Sequence, residues 1–544
     1  MIPIEEIIQI IITHSPALMV AVPLLGAFIT PLLGKTHYKA RNTFVILVSG
    51  FTCFLGFLLA NDVFANGTRT YIFGAKDISL PVVRILFEVD GMSGFMAIIA
   101  CLLPLVAVIY SWAFMKKETG LDKYYTLILL MSAGMIGMVL TGDMFNFFVF
   151  LEITSIASCA LIAFWTGKGS AVQAGFKYIV ISSIGALFVL FAIAILYGQY
   201  NALNMAVLAN SITYNLLDQI ALILLLVALA LKAGIVPMHM WLPDAYGRAP
   251  SSVTLVLIAT TQASLYGVFR VCFTIYGKHL LKPLRSFGEI AIAPSTLLSI
   301  LIVGLALLTI FIGVLMALKQ TNFKRMIAFA AIAEIGYMFL AVGAAIATIA
   351  TDPTTGSMVM SSAGQTALKG GIFHIINDAL DIGLLFLVAG AVFYAAKHTS
   401  LNKLGGLARN MKYTTVFFLI GLLAVAGMPP MNGFASKIMI YQSTFEVNPI
   451  IAIIAILCSI LLLAVFVKVF HSVFLGPKLP KFNDVKEVPR SMLVAMGIIA
   501  CIIVFIGLFP DLFVNNVVKP AADALFNHGD YIRQVVSTIL VGGV

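Results

Sequence analysis

One lysine stands inside an apolar run with a helix breaker just beyond it. The run ALALKAGIVP, residues 228–237, carries Lys232 and, five residues later, Pro237. A charge at membrane depth costs about 2.5–3.5 kcal/mol on insertion scales. Proline removes a backbone donor and clashes with the carbonyl four residues back, here that of Ala233. Two such defects in one place point to ion handling. A second place of the same kind is GMPP, 427–430, where Pro429 and Pro430 precede NGFAS and then Lys437. Lys437 reads as an ion carrier beside its break or as a snorkelling side chain near a helix end.

Glu152, Glu334, Asp378, Asp381 and His374 lie in equally apolar runs. A glutamate and a lysine stay charged when paired; when separated, one can release a proton and the other accept one. Glu152 and Lys232 would then titrate as a unit. An imidazole titrates near neutral pH, so His374 suits a proton relay. His374, Asp378 and Asp381 fall at i, i+4 and i+7 on one helical stripe. That stripe can bind Na⁺, hold a hydrated proton path, or hydrogen-bond to another helix. Glu334 has no opposite charge near it in sequence. Lys177, one turn into its span, joins the Glu–Lys pair or snorkels. His239 and Asp244 flank Pro243, a further break, and would cap freed backbone or line a channel. Arg270, Lys369, Lys468 and His471 lie nearer span ends and read as anchors.

These residues need a scaffold. The chain has 544 residues, 61% hydrophobic and 10% charged, with mean hydropathy +1.06. Repeated apolar runs of about 20 residues predict an all-α polytopic membrane protein. About fourteen spans are expected, near 13–34, 41–60, 91–115, 124–141, 144–165, 171–198, 218–240, 251–276, 293–318, 324–349, 365–396, 412–440, 448–475 and 490–512. Spans 7 and 12 are discontinuous and cross in opposite directions, which points to two inverted five-helix repeats with a site at the breaks. The expected division is 1–120 (helices 1–3 and an external loop), 121–290 (helices 4–8), 291–477 (helices 9–13) and 478–544 (helix 14 and tail). Between spans 2 and 3, TRTYIF and VVRILFEV suggest a hairpin. The tail motif VVSTILVGGV is too short to span.

Odd-numbered loops hold nineteen basic residues and even-numbered loops six. The positive-inside bias puts odd loops in the cytoplasm and both termini outside a cell membrane. Glu5 and Glu6 replace the basic region of a cleavable signal, so the first span is expected to be retained. The formal charge of +10 is spread over short loops, which argues against nucleic-acid binding. The six cysteines carry no CxxC or metal spacing and read as small buried hydrophobes. No metal site, cofactor or redox chemistry is expected within this chain.

Six segments resemble the antiporter-like subunit family, shared by respiratory complex I, Mrp-type cation/proton antiporters and archaeal membrane-bound hydrogenases and sulfur reductases. They are TGDMFNFFVFLEI (141–153), AGFKYIVISSIGA (174–186), LKAGIVPMHMWLPDAYGRAPSSV (231–253), NFKRMIAFAAIAEIGY (322–337), FHIINDALDIGLLFL (373–387) and GMPPMNGFASK (427–437). The chain is most similar to the Mrp D-type and hydrogenase-type subunits. The resemblance implies that Glu152 and Lys232 form a switchable pair. It implies that Lys177 lies beside them, that His374 sits on a central polar axis, and that Lys437 is the terminal carrier. Three positions depart from the family pattern: Gln262 stands for a lysine, Asp378 and Ile382 for a histidine/lysine pair, and Glu334 for a histidine or glutamine.

The function expected is transfer of H⁺, or H⁺-linked Na⁺, from Lys177/Glu152 through Lys232 and His374 towards Lys437. The chain would be a subunit in a lipid bilayer beside other membrane subunits, including further antiporter-like ones, that supply the energy. The alternatives are a degenerate structural subunit and a stand-alone transporter of a small solute.

Overall fold

The computed structural model describes residues 4–73, 85–281, 293–351, 358–477 and 479–540. Its long helices are α1 (Ile4–Thr36), α2 (Tyr38–Asn66), α3 (Gly91–Phe114), α4 (Leu121–Leu140), α5 (Met144–Ile162) and α6 (Gly169–Tyr200). After the short α7 (Met205–Ser211) come α8 (Leu216–Ala233), α9 (Leu242–Arg248), α10 (Ser251–Phe269), α11 (Pro294–Lys319), α12 (Phe323–Ala347) and α13 (Ser362–Ala396). The chain continues through α14 (Lys412–Val425), α15 (Asn432–Val447), α16 (Pro449–Val469) and α17 (Arg490–Leu508), and ends in the short α18 (Pro510–Phe513), α19 (Lys519–Phe526) and α20 (His528–Leu540).

Among the described residues, 13 helical segments are long and apolar enough to cross a membrane. The remaining expected span is the pair α14 and α15, each too short alone. Span 7 is α8 and α9 joined through a 3₁₀ turn, Met238–Trp241. The protein is therefore a polytopic helical membrane protein whose seventh and twelfth spans are interrupted. Pro237 lies in the first gap, and Pro429 and Pro430 lie in the second. Pro243 does not break a helix. It occupies the first turn of α9, where a missing N–H costs nothing.

Burial sorts the helices. The apolar stretch of α12 is wholly buried and that of α10 almost so, while α6 and α16 are mostly uncovered. Phe176, Leu187 and Phe191 on α6, and Ile453 and Ile460 on α16, are exposed apolar columns that suit acyl chains. Close backbone approach sets the core. A Cβ on Gly313 of α11 would lie 2.6 Å from the Ala333 nitrogen of α12, so only glycine permits this crossing. Both α10 and α16 run into six-residue π-turns, Arg270–Ile275 and Phe470–Leu475.

The expected hairpin forms. Strand β1 (Arg69–Phe73) pairs antiparallel with β2 (Ile85–Val89), in register Arg69↔Val89 to Phe73↔Ile85. A second small pair joins β3 (Ile349–Thr351) to β4 (Met358–Met360). The first hairpin is stitched to the end of the bundle by the bridge Phe87↔Thr141. There Arg270 donates to both Asp90 carboxylate oxygens, to Ser93 Oγ at 2.9 Å and to the Tyr266 hydroxyl at 2.9 Å. Tyr531 of α20 stacks over the same guanidinium at 4.8 Å, so the tail packs on its own bundle.

Two expectations change. Lys324, counted as a loop residue, is buried in α12 and donates to the Ala249 carbonyl at 2.5 Å. Of the cysteines, Cys501 is exposed and Cys159 half-buried, and all six are free. The boundary at 290/291, the basic residues Lys76, Arg84, Lys282, Arg285 and Lys478, and tail residues 541–544 lie outside the described residues.

Candidate functional site

Helix α8 stops because Gly234 takes a left-handed conformation (φ 87°). The N–H groups of Gly234 and Ile235 both return to the Ala230 carbonyl, at 3.0 and 2.9 Å. The Leu231 carbonyl, which keeps only a longer bond from the Gly234 N–H at 3.2 Å, also accepts from the Trp241 indole at 2.9 Å. Lys232 occupies the last turn of α8 and is buried. Its ammonium donates to Ser155 Oγ on α5 and Ser182 Oγ on α6, both at 2.5 Å. Glu152 Oε1 stands 3.9 Å away without a hydrogen bond, and its side chain is 29% exposed. The Glu152–Lys232 pair is thus held open, with two hydroxyls solvating the cation. A cavity of about 10 Å³, near the space of one water centre, lies beside Lys232. Ser155, Tyr178, Thr260 and Ser264 help line it.

The second break repeats the chemistry with different connectivity. Helix α14 ends at Val425, and Gly427 follows in the left-handed region (φ 68°). Lys437, on α15, reaches back across the gap and donates to the Val425 carbonyl at 2.7 Å. It also donates to Glu334 Oε1 at 2.8 Å and lies 4.8 Å from the centre of the Tyr337 ring. In sequence Lys232 precedes its break and Lys437 follows its own. In space both ammonium groups sit at the C-terminal end of a half-helix, where the helix dipole favours a cation.

Glu334 has two partners that sequence spacing hid. Its second oxygen, Oε2, is 2.8 Å from His374 Nε2, and His374 Nδ1 is 3.0 Å from Ser436 Oγ. Glu334, His374 and Lys437 form a buried Lys–Glu–His chain across α12, α13 and α15.

The stripe His374, Asp378 and Asp381 is divided among three neighbours and does not converge on one ligand. Asp378 accepts from Gln262 Nε2 at 2.5 Å. Asp381 accepts from Asn432 Nδ2 at 3.0 Å, and Asn432 also donates to Asn377 Oδ1 at 3.0 Å. The lysine position now held by Gln262 therefore still faces α13, through a neutral donor.

Lys177 has a carboxylate partner of its own. It pairs with Asp244 at 2.8 Å, and Arg325 approaches the other Asp244 oxygen at 3.5 Å. Asp244, read as a cap or channel-lining residue, is a carboxylate between two cations. Its place in the WLPDA segment was the only signal in the sequence. Ser155, Ser182 and Ser436 were missed because single serines in apolar helices carry no pattern.

A family model described as NADH:quinone oxidoreductase/Mrp antiporter, TM, matches residues 141–352 and 354–463, more than half the chain. The chain belongs to the antiporter-like membrane subunit family. Among its relatives, the D-type component of the Na(+)/H(+) antiporter of Alkalihalophilus pseudofirmus is 30% identical over 463 residues, covering 83% of this chain and 85% of that one. The N-type component of the NADH-quinone oxidoreductase of Desulforudis audaxviator is 29% identical over 530 residues, covering 93% and 98%. The structure superposes on a chain of the membrane-bound sulfane sulfur reductase, an archaeal respiratory membrane complex. The TM-score is 0.82, with 26% identity and coverage of 96% and 100%. Both broken spans and the Lys–Glu–His chain fall within the region this antiporter-like family model matches.

Proposed function

We propose that this chain is the ion-translocating subunit of a multisubunit membrane complex and passes H⁺, or H⁺ linked to Na⁺, along a midplane axis. The observation that carries the reading is the pair of half-helix ends, each holding a buried ammonium beside an acidic partner. In the first half Lys232 is shared between hydroxyls and Glu152; in the second Lys437 is joined through Glu334 to His374. Closing the Glu152–Lys232 pair and opening the Glu334–Lys437 pair are opposite electrostatic states. Two unit charges 4 Å apart interact by about 4 kcal/mol at an effective dielectric of 20, enough to bias proton positions. The proposed route enters at Lys177, Asp244 and Glu152. It then passes Lys232, Gln262, Asp378 and His374, and reaches Glu334 and Lys437, with Asp381 held off it by Asn432.

The relatives and structural neighbours support partners that are other integral membrane subunits. The energy would come from those partners or from an existing gradient. We also propose that spans 4–8 and 9–13 are the two inverted repeats: each has its break in its fourth span and a π-turn at the end of its fifth. The orientation proposed is both termini outside the cell membrane.

The test is to place the intact complex in liposomes and follow pH and Na⁺ gradients for wild type and Lys232→Ala. Loss of translocation with assembly intact is expected; unchanged translocation would overturn the reading. One observation favours a second reading, a subunit that has lost pumping: Asp378 accepts from the neutral amide of Gln262, and among the described residues no cation forms an ion pair with it. Gln262→Lys addresses it. A gain in translocation from an inactive wild type would support degeneration. A water-sized cavity at Lys232 disfavours transport of an organic solute.

A further inference from the structure

At the end of the bundle where α1 and α3 stop and α2 and α4 start lies an open pocket of about 470 Å³ with a mixed polar and apolar lining. Tyr38, Arg41, Trp112, Lys116, Glu118 and Asp122 help line it. Of these, Arg41 has only 6% of its surface exposed. Its Nε and Nη2 donate to Asn42 Oδ1 at 3.1 and 2.9 Å, and the guanidinium lies 5.3 Å from the Tyr125 ring. A guanidinium carries five N–H donors, so these two bonds leave three. Among the described residues no carboxylate forms an ion pair with Arg41. A charge taken out of water is ordinarily paired, and here the built partners are a neutral amide and a ring.

We propose that this cavity binds the headgroup of a membrane phospholipid, with the phosphodiester on Arg41. A guanidinium fork matches phosphate oxygens bidentately. The pocket's own charged lining is balanced, Arg41 and Lys116 against Glu118 and Asp122, and the basic excess lies on the segments that flank it. Segments 33–42 and 115–124 hold six basic residues, Lys35, Lys39, Arg41, Lys116, Lys117 and Lys123, against two acidic ones, Glu118 and Asp122. Clusters of basic residues beside helix ends at a membrane surface attract phospholipid headgroups. Tyr38 and Trp112 are the aromatic types that settle at the membrane–water boundary. Leu32 on α1 and Leu47 on α2, both widely exposed, offer apolar surface on the same two helices for acyl chains. A bound headgroup would tie α1 and α2 to the end of α3 and the start of α4, away from both broken spans.

The full chain is purified in mild detergent and placed in nanodiscs of phosphatidylethanolamine or of a phosphate-free galactolipid. Thermal midpoints and lipid retained in native mass spectrometry are then compared for wild type, Arg41→Gln and the rim variant Lys116→Gln. Expected are a higher midpoint in the phospholipid disc and one tightly retained phospholipid. Both are lost in Arg41→Gln, and retention is weakened in Lys116→Gln. Equal retention by wild type and Arg41→Gln overturns the proposal. So does full restoration of the midpoint by inorganic phosphate in galactolipid discs, which would mark a free-anion site. Should Arg41→Gln fail to fold, unchanged retention by Lys116→Gln overturns it.

Discussion

The Glu334 carboxylate and the Lys437 ammonium lie 2.8 Å apart although 103 residues separate them. The contact is possible because α14 stops at Val425. A continuous helix would keep its last carbonyls bonded internally, whereas here the Val425 carbonyl is free to accept from Lys437. The break therefore creates the cation's second partner, and α12 and α13 bring the acid and the imidazole.

Glu334→Gln leaves Lys437 buried without an opposite charge. Removing one member of a buried pair costs about 3–5 kcal/mol. Glu152→Gln removes a partly exposed carboxylate that makes no hydrogen bond to Lys232, whose ammonium keeps both serine hydroxyls, and should cost less than Glu334→Gln. Denaturation of the two variants side by side checks this order, and comparable losses would contradict it. Both variants are expected to impair translocation.

Ser155 and Ser182 hold Lys232 off Glu152. Replacing both by Ala removes the ammonium's two nearest acceptors, so the cation should move onto Glu152 and stay there. Slower translocation with normal assembly is the expected outcome in liposomes. An unchanged rate would show that the serines only fill space.

Asp90→Asn should destabilise the hairpin end of the bundle by about 3–5 kcal/mol, since Arg270 is fully buried against it. Because Tyr531 stacks on the same guanidinium, the segment 519–540 should also become more sensitive to protease. Wild-type cleavage kinetics in Asp90→Asn would rule out the coupling.

Glu88, on the β2 strand, is fully buried. Burial pushes its pKa well above the usual carboxylate range; Arg270 and the Tyr531 hydroxyl oppose the rise, and Asp90 adds to it. A raised native value means the protonated form is favoured in the fold. That stabilisation is complete below the ordinary carboxylate value of 4.5 and is lost as pH rises through the raised value. Glu88→Gln should flatten the fall of thermal midpoint with rising pH; an unaltered slope would assign the dependence elsewhere.

Much of this protein was legible from hydropathy and from breakers. Length and apolarity of each run decide whether a helix can cross a bilayer, and Gly234, Pro237, Gly427 and the Pro429–Pro430 pair interrupt a backbone ladder wherever they fall. Those are local properties, so the polytopic class, the two discontinuous spans and the titratable residues at depth could be read in order along the chain. Pairing could not. Lys177 met Asp244, Lys232 gained two serines beside the expected Glu152, and Glu334, solitary in sequence, met both Lys437 and His374. The i, i+4, i+7 spacing of His374, Asp378 and Asp381 predicted one face but not that three different helices would divide it. Sequence determined which charges enter the membrane, because insertion is governed by the composition of each segment. Only the tertiary structure decided which charge neutralises which, because that depends on helix rotation and on glycine-permitted close approach, such as Gly313 against Ala333. In a low-dielectric interior a shift of one helical turn exchanges one partner for another.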